Sequence, residues 1–155
     1  MKRPAPDGGR GATPRPAKGD GAVKPGTPHR LDAADFQRLL AALADGWTRR
    51  DYPAVAAHFT EDVFYTDPLR YAFHTRAQLH AFFANDDGQA QSVAWHLTLF
   101  DPERQVGMAE YTYEGTQRYH GVALIRLRDG LIARWFEYQH VDGRSRAAFA
   151  GEDAS

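Results

Sequence analysis

The chain has 155 residues, 43% of them hydrophobic and 25% charged, with a formal net charge of −1, which fits one globular domain with a tail. It contains no cysteine, so disulfides, thiolate zinc sites and thiol nucleophiles are excluded. No apolar run approaches the ~20 residues of a membrane helix, and the first residues lack the apolar core of a secretory signal, so a cytoplasmic location is expected.

The charge is unevenly placed. Residues 1–30 carry seven basic and two acidic side chains, hence +5, which leaves −6 for the rest of a chain that totals −1. They also hold six of the nine prolines and six of the fourteen glycines, with no aromatic residue. Such a segment cannot bury enough apolar surface to offset its ordering entropy, so residues 1–30 are expected to form a disordered basic tail. An acidic domain behind a basic tail is not the footprint of a nucleic-acid-binding fold. Neither a nucleic acid nor a membrane is expected as a partner.

The folded domain is expected over residues 31–142. Asp32 is a good N-cap, Asp35 suits the first turn, and Phe36, Leu39, Leu40, Leu43 and Trp47 recur at helical spacing. Asp51 and Pro53 open a short second helix. Thr60–Asp62 reads as a turn, and Val63–Asp67 as a strand stopped by Pro68. Residues 68–74 read as a loop. Thr75 caps a third helix carrying Leu79, Phe82 and Phe83, which ends at Asn85–Gly88. Four strands follow: Val93–Phe100, then three runs between Gln105 and Val141 separated by Gly and Asp-Gly hairpin signals. After Val141 the composition turns small and polar, so residues 143–155 are expected to be frayed.

The order α-α-β-α-β-β-β-β implies an α+β fold with three N-terminal helices packed on a curved antiparallel sheet. The strings RRDYPAVAAHFTEDVFYTDP and LRDGLIARWFEYQ, with this order, resemble the NTF2-like superfamily and its SnoaL-like branch, the polyketide cyclase-like and ketosteroid isomerase-like proteins. The resemblance spans roughly residues 32–141. It implies a cone with an internal cavity, and a homodimer formed through the outer sheet face. It also implies cofactor-independent proton transfer, because the general base of ketosteroid isomerases is the aspartate of an Asp-Pro ending the first strand, which matches Asp67-Pro68 here. Leu43 and Ala123 stand where that enzyme keeps its two oxyanion donors, so steroid isomerisation by the usual route is not expected.

Asp67 is therefore the candidate catalytic residue, set on one face with Val63 and Tyr65 by strand alternation. The opposing reading makes it a turn aspartate that accepts from nearby backbone N–H groups. Trp135, Glu137 and Gln139 share a face of the last strand, which the resemblance places in the cavity. Glu137 there is either a desolvated carboxyl or the partner of an arginine such as Arg126 or Arg134. Tyr119 shares a face with Gly121 and Ala123, where small residues leave room for a ligand. His74, in the loop after Asp67, is a candidate for the entrance. The candidate ligand contacts are thus Tyr65, His74, Tyr119, Trp135 and Glu137. No HxH or HExxH pattern occurs, so no metal is expected, and no phosphate loop or dinucleotide fingerprint points to a cofactor. Two functions follow. One is a binder of a small, mostly apolar, carbonyl-bearing molecule that Asp67 isomerises or cyclises through an enol. The other is a non-catalytic binder or dimerisation module on the same fold.

Overall fold

The computed structural model describes residues 26–152. The elements are α1 (Ala33–Arg49), α2 (Tyr52–Ala56), β1 (Phe59–Asp67), β2 (Tyr71–Phe73), α3 (Arg76–Ala84), β3 (Ser92–Asp101), β4 (Val106–Glu114), β5 (Arg118–Arg128), β6 (Leu131–Val141) and α4 (Arg146–Ala150).

α1 starts in a complete capping box. Asp35 N donates to Asp32 Oδ1 at 2.7 Å, and Asp32 N returns to Asp35 Oδ2 at 3.1 Å, which satisfies two of the N–H groups a helix start leaves open. The stripe Phe36, Leu39, Leu40, Leu43 and Trp47 is buried, and full burial of each such side chain stabilises the fold by about 1.5–3 kcal/mol. The helix packs on β3. Gly107 of β4 lets it come close. A Cβ there would stand 2.3 Å from Phe36 Cζ, so only a residue without one fits beneath that ring.

The six strands form one sheet in the order β2-β1-β6-β5-β4-β3. Strands β3 to β6 are the antiparallel meander expected from the hairpin signals. β1, however, runs parallel to β6, with Tyr65 opposite Trp135 and Thr66 opposite Phe136, so the sheet is mixed rather than antiparallel throughout. The reason is topological. β6 returns beside β5 and leaves its other edge open to a strand that entered the fold some seventy residues earlier. β1 is also longer than expected. It begins at Phe59 and takes up a register slip before Phe64, so Glu61 and Asp62 sit on a bulged strand, not in a turn. Part of the expected 68–74 loop is β2, three residues that pair antiparallel with Tyr65–Asp67.

Both ends of the described chain hold more structure than expected. Arg30 donates to the carbonyl of Pro102 at 2.7 Å. The buried Gln105 amide bonds both backbone groups of Leu31, at 3.0 and 2.8 Å. The last residues of the tail expected over residues 1–30 thus contact the fold, and residues 1–25 of it lie outside the described residues. After Val141, Ser145 caps α4, Phe149 stacks on His120 at 4.3 Å, and Arg146 pairs with Glu110 at 2.9 Å. This segment straps the outer sheet face instead of fraying. No helix among the described residues is long and apolar enough to cross a membrane.

Candidate functional site

The face of the sheet turned toward the helices carries Val63, Tyr65, Tyr111, Ala123, Ile125 and Trp135, all buried. Toward the β2 end this packing opens into a cavity of about 510 Å3, within the roughly 300–1,000 Å3 of ordinary small-molecule sites. Eleven of its nineteen lining residues are aromatic. The indoles of Trp47, Trp95 and Trp135 meet one another at centroid separations of 6.2–6.5 Å. Tyr65 lies flat on Trp135, 5.5 Å away and 6° from parallel.

Glu137 stands at the floor. Its side chain is buried, 5% exposed, and among the described residues every hydrogen-bond partner it has is neutral. Oε2 accepts from Trp135 Nε1 at 2.9 Å, from Tyr65 at 3.1 Å and from Tyr111 at 3.3 Å, while Tyr71 donates to Oε1. The donors hold the carboxyl pKa down, but desolvation outweighs them and pushes it above the ordinary carboxylate value. The same burial, with Glu137 beside them, raises the phenols of Tyr65, Tyr71 and Tyr111 well beyond their usual range, so they are fixed as donors.

Tyr111 has one proton and two acceptors, Glu137 Oε2 at 3.3 Å and Gln139 Oε1 at 3.1 Å. When it donates to Gln139, its own oxygen faces Glu137 and can accept from a protonated carboxyl there. The floor therefore accommodates either charge state of Glu137 by one hydroxyl rotation. Gly121 makes this contact possible. It lies between Tyr111 and Gln139 on adjacent strands, and a Cβ would stand 2.8 Å from the Tyr111 hydroxyl and 2.9 Å from Gln139 Cβ.

Asp67 is buried but is not among the cavity's lining residues. Oδ1 accepts from Leu69 N at 2.9 Å, and Oδ2 faces Gln139 Nε2 at 3.3 Å and Arg70 Nε at 3.7 Å. That is the geometry of a turn aspartate ahead of Pro68, with a link to the floor. Gln139 Nε2 also donates to Tyr71 at 3.0 Å, and Tyr71 donates to Glu137, so one amide and one phenol join the two carboxyls.

Of the residues singled out in the sequence, the structure brings Tyr65, Trp135 and Glu137 together at the floor and sets Tyr119 in the wall. The Tyr119 hydroxyl donates to Gln117, and the Arg70 guanidinium lies 5.0 Å over its ring. His74 is placed elsewhere and does not line the cavity. It follows β2 and packs 4.9 Å from Phe64, whose other neighbour is Phe136 on the outer sheet face. The reason is that Tyr71 and Phe73 take the inward positions of β2 and pack against Phe82 of α3. Glu137 makes no pair with Arg126 or Arg134, which lie opposite each other on strand faces turned away from it. The sequence reading missed Tyr71, Tyr111 and Arg70. Alternation along β4, with Ala109, Tyr111 and Tyr113 on one face, was a usable signal for Tyr111. No local signal marks Tyr71 as inward, because β2 is defined only by its pairing. No group of three or more His, Asp or Glu residues that could hold a metal ion occurs among the described residues.

Helices wrapped by a six-stranded mixed sheet, with an aromatic cavity between them, define the NTF2-like cone. Residues 25–135 match the family model of the SnoaL-like domain, and the chain belongs to that family. No curated protein sequence matches it. Many solved structures share the fold, and three of them illustrate its range. An LEH-like epoxide hydrolase of M. tuberculosis superposes with a TM-score of 0.60 at 16% identity, over 69% of this chain and 84% of the other. A candidate ketosteroid isomerase from Kribbella flavida gives 0.61 at 19%, over 72% and 82%. A candidate polyketide cyclase from Pseudomonas putida gives 0.57 at 21%, over 64% and 87%.

Proposed function

We propose that the protein is a small-molecule binder that takes a compact, mostly apolar ligand into the cone. The observation that supports this most directly is the union of an aromatic cavity of about 510 Å3 with a single buried carboxyl at its floor. Apolar walls supply affinity, and one polar group fixes orientation. All three tryptophans line the cavity, so binding is read from their fluorescence. The test titrates a panel of small ketones, alcohols and cyclic hydrocarbons. Saturable quenching by members of the panel, with a matching rise in Tm, is expected. A panel in which no member does either refutes the reading.

A second reading, turnover of a carbonyl-bearing ligand by proton transfer, draws support from the position and raised pKa of Glu137. Asp67 does not line the cavity and both its oxygens are engaged, so Glu137 takes the role of acid and base, with Asp67 behind it through Gln139 and Tyr71. Deuterium exchange at the α-carbon of a bound ketone is then lost in Glu137→Gln and survives in Asp67→Asn. Loss in Asp67→Asn alone returns the role to Asp67.

The outer sheet face exposes Leu97, Leu99, Leu124 and Tyr138, which supports a homodimer formed through that face. Light scattering should give twice the 17.3 kDa chain mass, and Leu99→Glu should lower it.

A further inference from the structure

The ligand class can be narrowed from the charge and chemistry of the lining. Glu137 at the floor and Asp86 and Asp87 in the wall are acidic, whereas Arg70 is the one basic residue that lines the cavity. Asp86 is paired with Arg50 at 3.3 Å, which leaves Glu137 and Asp87 to set the sign of the charge. Arg70 is already committed, to Asp67 on one side and to the Tyr119 ring on the other. The cavity therefore presents an excess of negative charge to whatever enters it. Its aromatic walls add to this, since each ring face carries the negative part of a quadrupole.

Glu137 supplies the second observation. A carboxylate withdrawn from water is stabilised by hydrogen bonds and by a countercharge. Here four neutral donors give the first, and the second is lacking among the described residues. A metal ion does not fit that vacancy in charge, because no second and third acidic or imidazole ligand converge there. A primary ammonium does not fit either, because it needs three acceptors of its own and the walls offer mainly ring faces. An alkylated ammonium spreads its charge over methyl and methylene groups, which suit those faces and need no acceptor.

We infer that the cavity takes a small alkylammonium cation, a tertiary or quaternary amine, held by the indole and phenol rings above Glu137. This rests on the small-molecule reading above and names the ligand's chemistry. A cation among desolvated rings and beside a carboxylate is held more tightly than a neutral group of the same shape, by at least tenfold in Kd, about 1.4 kcal/mol.

The experiment compares choline with 3,3-dimethylbutan-1-ol, in which carbon replaces the quaternary nitrogen at the same size and shape. Each is titrated into the full chain while tryptophan fluorescence is followed. Choline binding at least tenfold tighter than the alcohol is expected, with the preference reduced in Glu137→Gln. Should that variant fail to fold, the wild-type pair alone decides. Equal affinities, or tighter binding of the alcohol, overturn the inference and leave the cavity reading standing. Binding of neither probe also overturns it, and the neutral panel then judges the cavity reading on its own.

Discussion

Replacing Glu137 by glutamine keeps the shape of the floor and changes two things, which pH can separate. The first is hydrogen bonding. Trp135 Nε1 can only donate, so the amide oxygen must stay where Oε2 is, and the amide nitrogen then meets the Tyr71 hydroxyl in place of Oε1. Tyr71 loses the acceptor for its proton in a buried site, at a cost of about 1–3 kcal/mol. The second is charge. Because burial raises the folded-state pKa of Glu137 above its unfolded value, its native form is favoured while the carboxyl is protonated. That contribution is complete below the unfolded pKa, about 4.5, and is lost as pH rises through the folded one. Each unit between the two values removes about 1.4 kcal/mol from the wild type and nothing from the amide.

The variant should therefore be less stable than the wild type near pH 4, by about 1–3 kcal/mol, and the gap should narrow or reverse toward pH 8. For a domain of this size each kcal/mol moves Tm by about 3–5 °C. Paired thermal melts across that range are the assay. The surface carboxylates held low by arginines, such as Asp62 and Asp142, cancel in the difference because both proteins carry them. A gap that is flat with pH, or that widens as pH rises, refutes the claim that desolvation raises the pKa of Glu137.

Three further perturbations test the frame around the site. Asp67→Ala removes the acceptor for Leu69 N and the partner of Arg70; stability should fall by about 1–3 kcal/mol in urea melts, with ligand affinity little changed. Gly121→Val drives a side chain into the Tyr111 hydroxyl, so overpacking should cost about 1–3 kcal/mol and weaken ligand binding as well, read by fluorescence titration. Gly107→Ala meets Phe36 on the far side of the same sheet face; it should lower Tm by a similar amount and leave affinity alone.

The meander of β4 to β6 was legible because each strand alternates and each turn carries its own signal. Trp135, Glu137 and Gln139 fell on one face by the same alternation. What stayed hidden depends on partners remote in sequence. Tyr71 turns inward only because residues 71–73 pair with β1, and three residues are too few to show a period. The parallel seam between β1 and β6 has no local trace at all. The reading of Glu137 as an arginine partner failed for a related reason. Its partners arrive from β1, β2 and β4 as tyrosine hydroxyls, and a tyrosine in a strand looks alike whether its hydroxyl meets water or a buried carboxyl.

That seam also sets the order in which the protein can assemble. Tyr65 and Trp135 become neighbours only when a strand near the start of the domain meets the last one, across a loop of about seventy residues that must first be closed. The hairpins β3–β4, β4–β5 and β5–β6 need no such closure and form from chain that is close at hand. The floor of the cavity is thus laid late, after synthesis has passed β6. A nascent chain that stops near residue 130 lacks Trp135, Glu137 and Gln139, and its β1 and β2 have no β6 through which to join the sheet. Stacking of Trp135 on Tyr65 accordingly reports completion of the whole fold and not of any one part of it.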